Sequence, residues 1–130
     1  MGDRPVSVFL VDDYAPMRKN LRWLLEFERD FTVCGEAGDV ETALAGMRAA
    51  KPDIAIVDLA LGNQSGFDLL RRLRENGPPV GVLVLSMLPA EQNAALAMTY
   101  GAKKYLTKSD SPDTILDALR AMVDHHPSDH

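Results

Sequence analysis

Three acidic residues directly follow two apolar segments, and together they could perform metal or phosphate chemistry. Asp12 and Asp13 come after the apolar segment Val6–Val11, and Asp58 comes after Ile54–Val57. Adjacent carboxylates repel one another, and surroundings of low dielectric constant disfavour their charge. Such a set is unstable until a cation neutralises it. The spacing therefore predicts a site for a hard divalent cation, Mg²⁺ or Mn²⁺, since these ions prefer carboxylate oxygens.

Two more polar residues occupy the equivalent position after later apolar segments. Ser86 follows residues 82–85, and Lys108 closes the segment that contains Tyr105. A carboxylate beside a metal ion can act as a nucleophile and form an aspartyl-phosphate. That attack builds negative charge on the phosphoryl oxygens, which an ammonium group and a hydroxyl group can balance. These residue types favour phosphoryl transfer to an aspartate.

The segments around these residues alternate between predicted strand and predicted helix. Apolar or β-branched segments predict five strands buried on both faces, at residues 6–11, 32–37, 54–57, 80–85 and 104–106. Segments of helical periodicity lie after each strand, with Asp39, Ser65 and Ser111 placed to cap three of them. Five such units predict an α/β fold: a flavodoxin-like (βα)5, doubly wound parallel sheet in the order 2-1-3-4-5. Strands one and three are then neighbours, which brings the three acids together.

The composition indicates a single soluble domain. The 130 residues carry a net charge of −5, whereas a general nucleic-acid-binding surface is usually basic. No segment approaches the ~20 apolar residues of a membrane span, and no signal peptide pattern opens the sequence, so we expect a cytoplasmic protein. The single cysteine, Cys34, suits a reducing compartment, and we expect it in the core. Residues 1–124 are predicted to form the domain and residues 125–130 a disordered tail.

A family resemblance follows from these residues taken together. The pattern Asp12-Asp13, Asp58, Ser86 and Lys108 resembles the receiver domain of two-component response regulators over nearly the whole chain. Residues 101–108, with residues 85–87 before them, are similar to the NarL/FixJ subfamily, whose output is a LuxR-type helix-turn-helix. The resemblance implies a phosphoprotein that regulates transcription in phosphorelay signal transduction.

The resemblance also implies a metal site and a phospho-acceptor. Asp58 would accept the phosphoryl group, and Asp13 with Asp58 would bind Mg²⁺ or Mn²⁺ directly. Asp12 would act mostly through a metal-bound water. The backbone carbonyl of Ala60 would complete the set of metal ligands.

The switch residues follow from the same resemblance. Ser86 and Lys108 would contact the phosphoryl group, and the Tyr105 ring would turn inward when the serine hydroxyl moves. The surface moved would be the fourth helix, fifth strand and fifth helix, where Lys103, Lys104 and Arg120 would meet acidic partner residues.

The resemblance implies partners as well as site residues. A sensor histidine kinase would donate the phosphoryl group, and the subfamily commonly works as homodimers. DNA would be bound only through an output domain absent from this chain, and no membrane contact is expected. The domain would not be an enzyme, although it would assist its own phosphorylation and dephosphorylation.

Some positions depart from the family pattern. Leu61-Gly62 stands where many receivers have Met-Pro, although Gly66 keeps the glycine with which the loop closes. Ser109 replaces a common proline, which leaves the isomer of the Lys108–Ser109 bond open, since a cis bond without proline costs ~2.5–4 kcal/mol.

Two other classes of function remain open at this point. A phosphatase of the haloacid-dehalogenase type also uses a strand-end aspartate and Mg²⁺, but it typically has a second acid where this chain has Ala60. A receiver-like interaction module that is never phosphorylated usually lacks an acid or the lysine, and this chain keeps all of them. Each polar residue alone could also be an ordinary helix cap or a solvated side chain.

Overall fold

The computed structural model describes residues 4–124, which form seven strands and five helices. The strands are β1 (Val6–Val11), β2 (Phe31–Ala37), β3 (Ile54–Val57), β4 (Ala60–Leu61), β5 (Gln64–Ser65), β6 (Gly81–Ser86) and β7 (Lys104–Thr107). The helices are α1 (Ala15–Glu26), α2 (Val40–Ala50), α3 (Gly66–Asn76), α4 (Ala90–Thr99) and α5 (Pro112–Asp124). The tail predicted at residues 125–130 lies outside the described residues.

Five strands form one parallel sheet in the order β2-β1-β3-β6-β7. The remaining two strands, β4 and β5, form a short antiparallel hairpin that the sequence did not predict. Without this hairpin the strand order is 2-1-3-4-5, so the predicted flavodoxin-like fold is confirmed. The strand order changes direction between β1 and β3, which is the position where open α/β sheets form their ligand crevice.

The predicted caps begin the helices where the sequence placed them. The Asp39 carboxylate accepts a hydrogen bond from the Thr42 backbone N–H at 2.8 Å. The Ser65 hydroxyl accepts one from the Phe67 N–H at 3.1 Å, and Ser111 caps α5 in the same way. Each cap satisfies a backbone donor that has no partner inside its own helix, which fixes where the chain leaves the sheet.

The core lies on both faces of the sheet. Helices α2, α3 and α4 cover one face, and helices α1 and α5 cover the other. All four residues of β3 are buried, as expected for the central strand of a parallel sheet. Cys34 is exposed, so its predicted place in the core was wrong. The reason is that β2 is an edge strand, where Cys34 lies between the buried Val33 and the half-buried Gly35 and faces outward. Within residues 4–124, no helix is long and apolar enough to cross a membrane.

Candidate functional site

The predicted site residues lie together at the carboxyl end of the parallel sheet. Asp12 follows β1, Asp58 follows β3, Ser86 is the last residue of β6, and Lys108 follows β7. Backbone hydrogen bonds continue the sheet past the strand ends, because the Asp58 N–H donates to the Val11 carbonyl at 2.9 Å. The Lys108 N–H donates to the Ser86 carbonyl at 2.9 Å in the same way. The main chain therefore fixes the positions of these side chains.

The three acids form one cluster that fits a divalent cation. One carboxylate oxygen from each of Asp12, Asp13 and Asp58 lies within 4.8 Å of the others. Asp12 and Asp58 are buried, with 3% and 4% exposure, whereas Asp13 is exposed. Three oxygen donors, one of them open to solvent, suit Mg²⁺, which binds through a few carboxylates and keeps several waters. The three acids predicted to bind the ion are therefore brought together.

Each buried carboxylate is also held by a backbone donor. Asp12 Oδ1 accepts the Tyr14 N–H at 2.9 Å, and Asp58 Oδ1 accepts the Ala60 N–H at 3.1 Å. These bonds fix the rotation of both carboxylates. They leave the second oxygen, Oδ2, of each one directed to the same cation, Lys108.

Lys108 lies between the two buried acids. Its Nζ is 2.8 Å from Asp12 Oδ2 and 2.8 Å from Asp58 Oδ2. Burial alone would lower the pKa of the Lys108 ammonium, but hydrogen bonds to Asp12 and Asp58 outweigh burial and raise that pKa. Lys108 therefore stays a cation at neutral pH and offsets part of the acidic charge.

Ser86 and Tyr105 hold the connection between β6 and α4. The fully buried Ser86 hydroxyl accepts the Leu88 N–H at 3.2 Å, and the Tyr105 hydroxyl donates to the Leu88 carbonyl at 2.9 Å. Burial raises the pKa of the Tyr105 phenol, so the hydroxyl keeps its proton and remains a donor. Leu88 thus links the two predicted switch residues, a role that sequence reasoning did not assign to it.

Helix α4, which follows this connection, is anchored at one end. The Arg74 guanidinium of α3 donates to the Thr99 carbonyl and lies 5.7 Å from the centre of the Tyr100 ring. Pro89 begins α4 without a side-chain cap, and Ala97 is the one buried residue of the helix. The carboxyl end of α4 therefore contacts α3 through Arg74, and Leu88, just before the amino end of α4, bonds to Ser86 and Tyr105.

An ionic network beside Asp12 supports the acidic cluster, and sequence reasoning missed it. The Arg18 guanidinium donates to the backbone carbonyl of Asp12 and to Glu36 Oε1, the latter at 3.0 Å. Arg22 donates to the other Glu36 oxygen at 2.8 Å. Burial alone would raise the pKa of Glu36, but the bonds from Arg22 and Arg18 outweigh it and lower the pKa. No local pattern reveals this network, because the partners lie on different elements.

Arg120 does not take the role that the sequence suggested. It was expected to meet acidic residues of a partner, but its guanidinium donates to Asp30 at 2.8 and 2.9 Å and to Glu28 at 2.8 Å. It also lies 5.4 Å from the centre of the Phe31 ring. Arg120 therefore ties α5 to the turn before β2. Lys103 and Lys104 are exposed, as a partner surface requires.

The loops around the site differ from the family pattern without disturbing it. A Cβ atom on Gly66 would lie 2.5 Å from the Asp58 carbonyl oxygen, so this close approach of two backbones requires glycine. The described residues contain no cis peptide bond, so Lys108–Ser109 is trans. Ser109 stands in place of the family's proline, and the turn is held by Asp110, whose carboxylate accepts the Thr107 N–H at 2.8 Å.

Comparison with known proteins agrees with this geometry. Residues 8–120 match the family model of the response regulator receiver domain. The chain is 33% identical over 117 residues to the nitrate/nitrite response regulator protein NarP of Escherichia coli. The matched region covers 90% of this chain and 54% of that protein. The chain is also 37% identical over 103 residues to the DNA-binding transcriptional activator DevR/DosR of Mycobacterium tuberculosis, covering 79% and 48%. The chain spans about half the length of these relatives.

Solved structures show the same likeness. A two-component response regulator of the LuxR family from Aurantimonas is 30% identical, with a TM-score of 0.87 and coverage of 93% of this chain and 86% of that one. The signal receiver domain of a NarL response regulator from Mycobacterium tuberculosis is 25% identical with a TM-score of 0.87, covering 95% and 99%.

Proposed function

The chain belongs to the response regulator receiver domain family of phosphorylation switches in two-component signalling, and we propose from this premise that Asp58 is its phospho-acceptor. One observation carries the proposal. The buried Asp58 carboxylate lies within 4.8 Å of Asp12 and Asp13 and 2.8 Å from the Lys108 ammonium. A nucleophile, a cation-binding set and a fixed positive charge thus meet at one point, as phosphoryl transfer to a carboxylate requires.

The contacts of the two Asp58 oxygens orient the carboxylate for this transfer. An oxygen of the carboxylate attacks phosphorus and forms an O–P bond, while the bond from phosphorus to the donor breaks. The donor is a phosphohistidine of a sensor histidine kinase or a small acyl phosphate, and the leaving group takes the bonding electrons. The Ala60 N–H on Oδ1 holds the carboxylate orientation. Lys108 then exchanges its bond to Oδ2 for one to a phosphoryl oxygen, where charge accumulates.

Asp12, Asp13, Asp58 and the Ala60 backbone carbonyl are the proposed ligands of Mg²⁺ or Mn²⁺. A bound ion would neutralise charge on the phosphoryl oxygens. The exposure of Asp13 leaves a path from solvent to the cluster. Asp12 contacts Lys108 directly, which suits its proposed role of acting on the ion through a bound water.

The proposed output is a change at the surface formed by α4, β7 and α5. The new phosphoryl group draws the Ser86 hydroxyl and Lys108 toward itself, and loss of the Ser86 contact with Leu88 frees the amino end of α4. The phosphorylated form would assemble as a homodimer and regulate transcription through a DNA-binding domain outside these residues. Two relatives support this output, because they are named as a response regulator and a DNA-binding transcriptional activator. The matched region covers only about half of each of them. The proposed setting is the cytoplasm, with residues 1–124 as the receiver unit.

The geometry disfavours the two competing functions. Ala60 carries no carboxyl group beside Asp58, so the general acid of a haloacid-dehalogenase-type phosphatase has no counterpart at that position. A receiver-like module that is never phosphorylated has no need for three converging acids, two of them bridged by a lysine. The domain would act as a signalling switch that assists its own phosphorylation and dephosphorylation.

Radiolabel transfer from acetyl phosphate tests the proposal. The wild-type chain should be labelled with Mg²⁺ and remain unlabelled in EDTA. Asp13→Ala should lose most of the labelling, because it removes an exposed carboxylate of the proposed metal set. Labelling that proceeds equally well in EDTA would reject the Mg²⁺-dependent mechanism.

A further inference from the structure

The hairpin of β4 and β5 connects the acidic cluster with a distant helix. It begins two residues after Asp58, and Ala60 pairs with Ser65 across it. The turn of the hairpin lies beside Asp13, because a Cβ atom on Gly62 would lie 3.6 Å from Asp13 Oδ2. The hairpin therefore borders two of the three carboxylates.

The contact at the far side of the hairpin is made by Gln64. Its side-chain oxygen accepts the backbone N–H of Val40 at 2.9 Å. Val40 is the first residue of α2 and is 2% exposed, and its N–H is one of the donors that a helix cannot satisfy internally. The Asp39 carboxylate already caps α2 by accepting the Thr42 N–H. Gln64 therefore supplies a second cap to α2 from another part of the chain.

The opposite residue of the hairpin strengthens this attachment. Leu61 pairs with Gln64 across the hairpin, is 2% exposed and belongs to the same apolar cluster as Val40. One cross-strand pair thus joins the hairpin to the core through Leu61 and to α2 through the Gln64 hydrogen bond. The turn itself has a left-handed residue, Gly62 with φ of 63°, so it is a defined bend and not an extended loop.

We propose that Gln64 is a positioning residue for the metal site: by capping α2 it holds the Ala60 backbone and the Gly62 turn beside Asp58 and Asp13. This inference rests on the proposed function, since it takes the Ala60 carbonyl as a metal ligand. Gln64 is not one of the proposed ligands of the metal or of the phosphoryl group. It acts by keeping a short hairpin in register, much as outer partners orient the direct ligands in other metal sites.

Gln64→Met tests the inference, because methionine matches glutamine in length but offers no carbonyl oxygen. We expect the dissociation constant for Mg²⁺, measured by titration calorimetry, to rise on the order of tenfold, the low end for residues that support ligands. Amide exchange of residues 59–66 should become faster. In acetyl phosphate labelling, the half-saturating Mg²⁺ concentration should rise while the rate at saturating Mg²⁺ stays at the wild-type value.

Two further variants separate positioning from general damage. Gln64→Glu keeps an acceptor oxygen at the same place and should retain slow exchange in the hairpin. Gln92→Met makes the same chemical change on an exposed residue of α4 and should bind Mg²⁺ as the wild type does.

Three results would overturn the inference. The first is an unchanged Mg²⁺ affinity in Gln64→Met, and the second is a weaker affinity with unchanged exchange in the hairpin. Both leave the proposed function intact. The third is a wild-type chain that binds no Mg²⁺, which would overturn the proposed function as well.

Discussion

The Lys108 ammonium nitrogen lies 2.8 Å from Asp58 Oδ2 and thus contacts the proposed phospho-acceptor directly. Lys108 lies equally close to Asp12, so one cation bridges two of the three acids. The lysine therefore has two roles in this account. It stabilises the acidic cluster in the folded chain, and it supplies the positive charge that a phosphoryl group meets on arrival.

Replacing Lys108 by methionine should destabilise the chain in a metal-dependent way. The change leaves buried carboxylates without their cation. This should lower the free energy of unfolding by about 3 kcal/mol, the low end for a broken buried pair. Urea unfolding in EDTA should show this loss. Mg²⁺ should restore part of it, since a ligand of the folded state stabilises that state. Lys104→Met, at an exposed lysine of β7, is the matched control and should change little.

The stabilisation that Lys108 provides should depend on pH only in alkaline solution. The pKa of Lys108 is raised in the folded chain, so its stabilisation is complete below the unfolded value of about 10.4 and is lost as pH rises through the folded value. The stability difference between wild type and Lys108→Met should therefore be constant near neutral pH and shrink only in strong alkali. A difference that already vanishes near pH 8 would contradict the ion-pair role.

Tyr105→Phe should loosen the amino end of α4. The substitution keeps the ring but removes the donor to the Leu88 carbonyl, a bond worth about 1 kcal/mol. Amide exchange of Met87, Leu88 and Ala90 should become roughly fivefold faster, which is the ratio that this free energy corresponds to. Tyr100→Phe, whose ring packs on Phe67, should leave this segment unchanged. Equal exchange in wild type and Tyr105→Phe would show that the hydroxyl does not hold α4.

The convergence of the site could be predicted from sequence because it depends on a simple rule. Asp12, Asp58, Ser86 and Lys108 each follow or end an apolar segment, and parallel strands place such positions at one edge. The hairpin could not be predicted, because strands of two residues are too short to show alternation. Contacts such as Gln64 with Val40 join exposed polar residues to distant backbone, and no periodicity records them.

The sequence also could not show which charges are satisfied within the chain. Arg120 and Asp30 are 90 positions apart, so their ion pair depends on how α5 packs beside the turn before β2. Cys34 shows the same limit for burial. Its strand pattern was correct, but its place at the sheet edge, and hence its exposure, follows from the topology.

Gly66→Ala should disturb the loop that follows Asp58, the proposed phospho-acceptor. The added Cβ would lie 2.5 Å from the Asp58 carbonyl oxygen and 2.6 Å from the Leu59 Cα, so backbone must move. Overpacking of this kind costs about 1–3 kcal/mol, and we expect slower phosphoryl transfer as well. Gly81→Ala, at the amino end of β6, is the control, because the atom nearest to its added Cβ would be the Met122 methyl carbon at 3.3 Å, the end of a flexible side chain. Transfer at the wild-type rate in Gly66→Ala would show that the loop tolerates displacement.

Arg120→Gln should lower stability near neutral pH, with a loss that fades in acid. The hydrogen bond from Arg120 lowers the pKa of Asp30, so this stabilisation is present above the unfolded value of about 3.9 and is lost as pH falls through the folded value. Because both side chains are more than one-third exposed, the loss should be roughly 1 kcal/mol or less. An undiminished loss near pH 2 would assign the effect to packing on the Phe31 ring.

Chemical mapping of the phosphoryl group shows which residue accepts it. Borohydride reduces an aspartyl-phosphate to homoserine, so mass spectrometry of peptides from the labelled chain identifies the residue that carried the group. We predict homoserine at position 58 after treatment with acetyl phosphate and Mg²⁺, and none in Asp58→Asn. Homoserine at Asp12 or Asp13, or full labelling that persists in Asp58→Asn, would contradict the assignment of Asp58 as the phospho-acceptor.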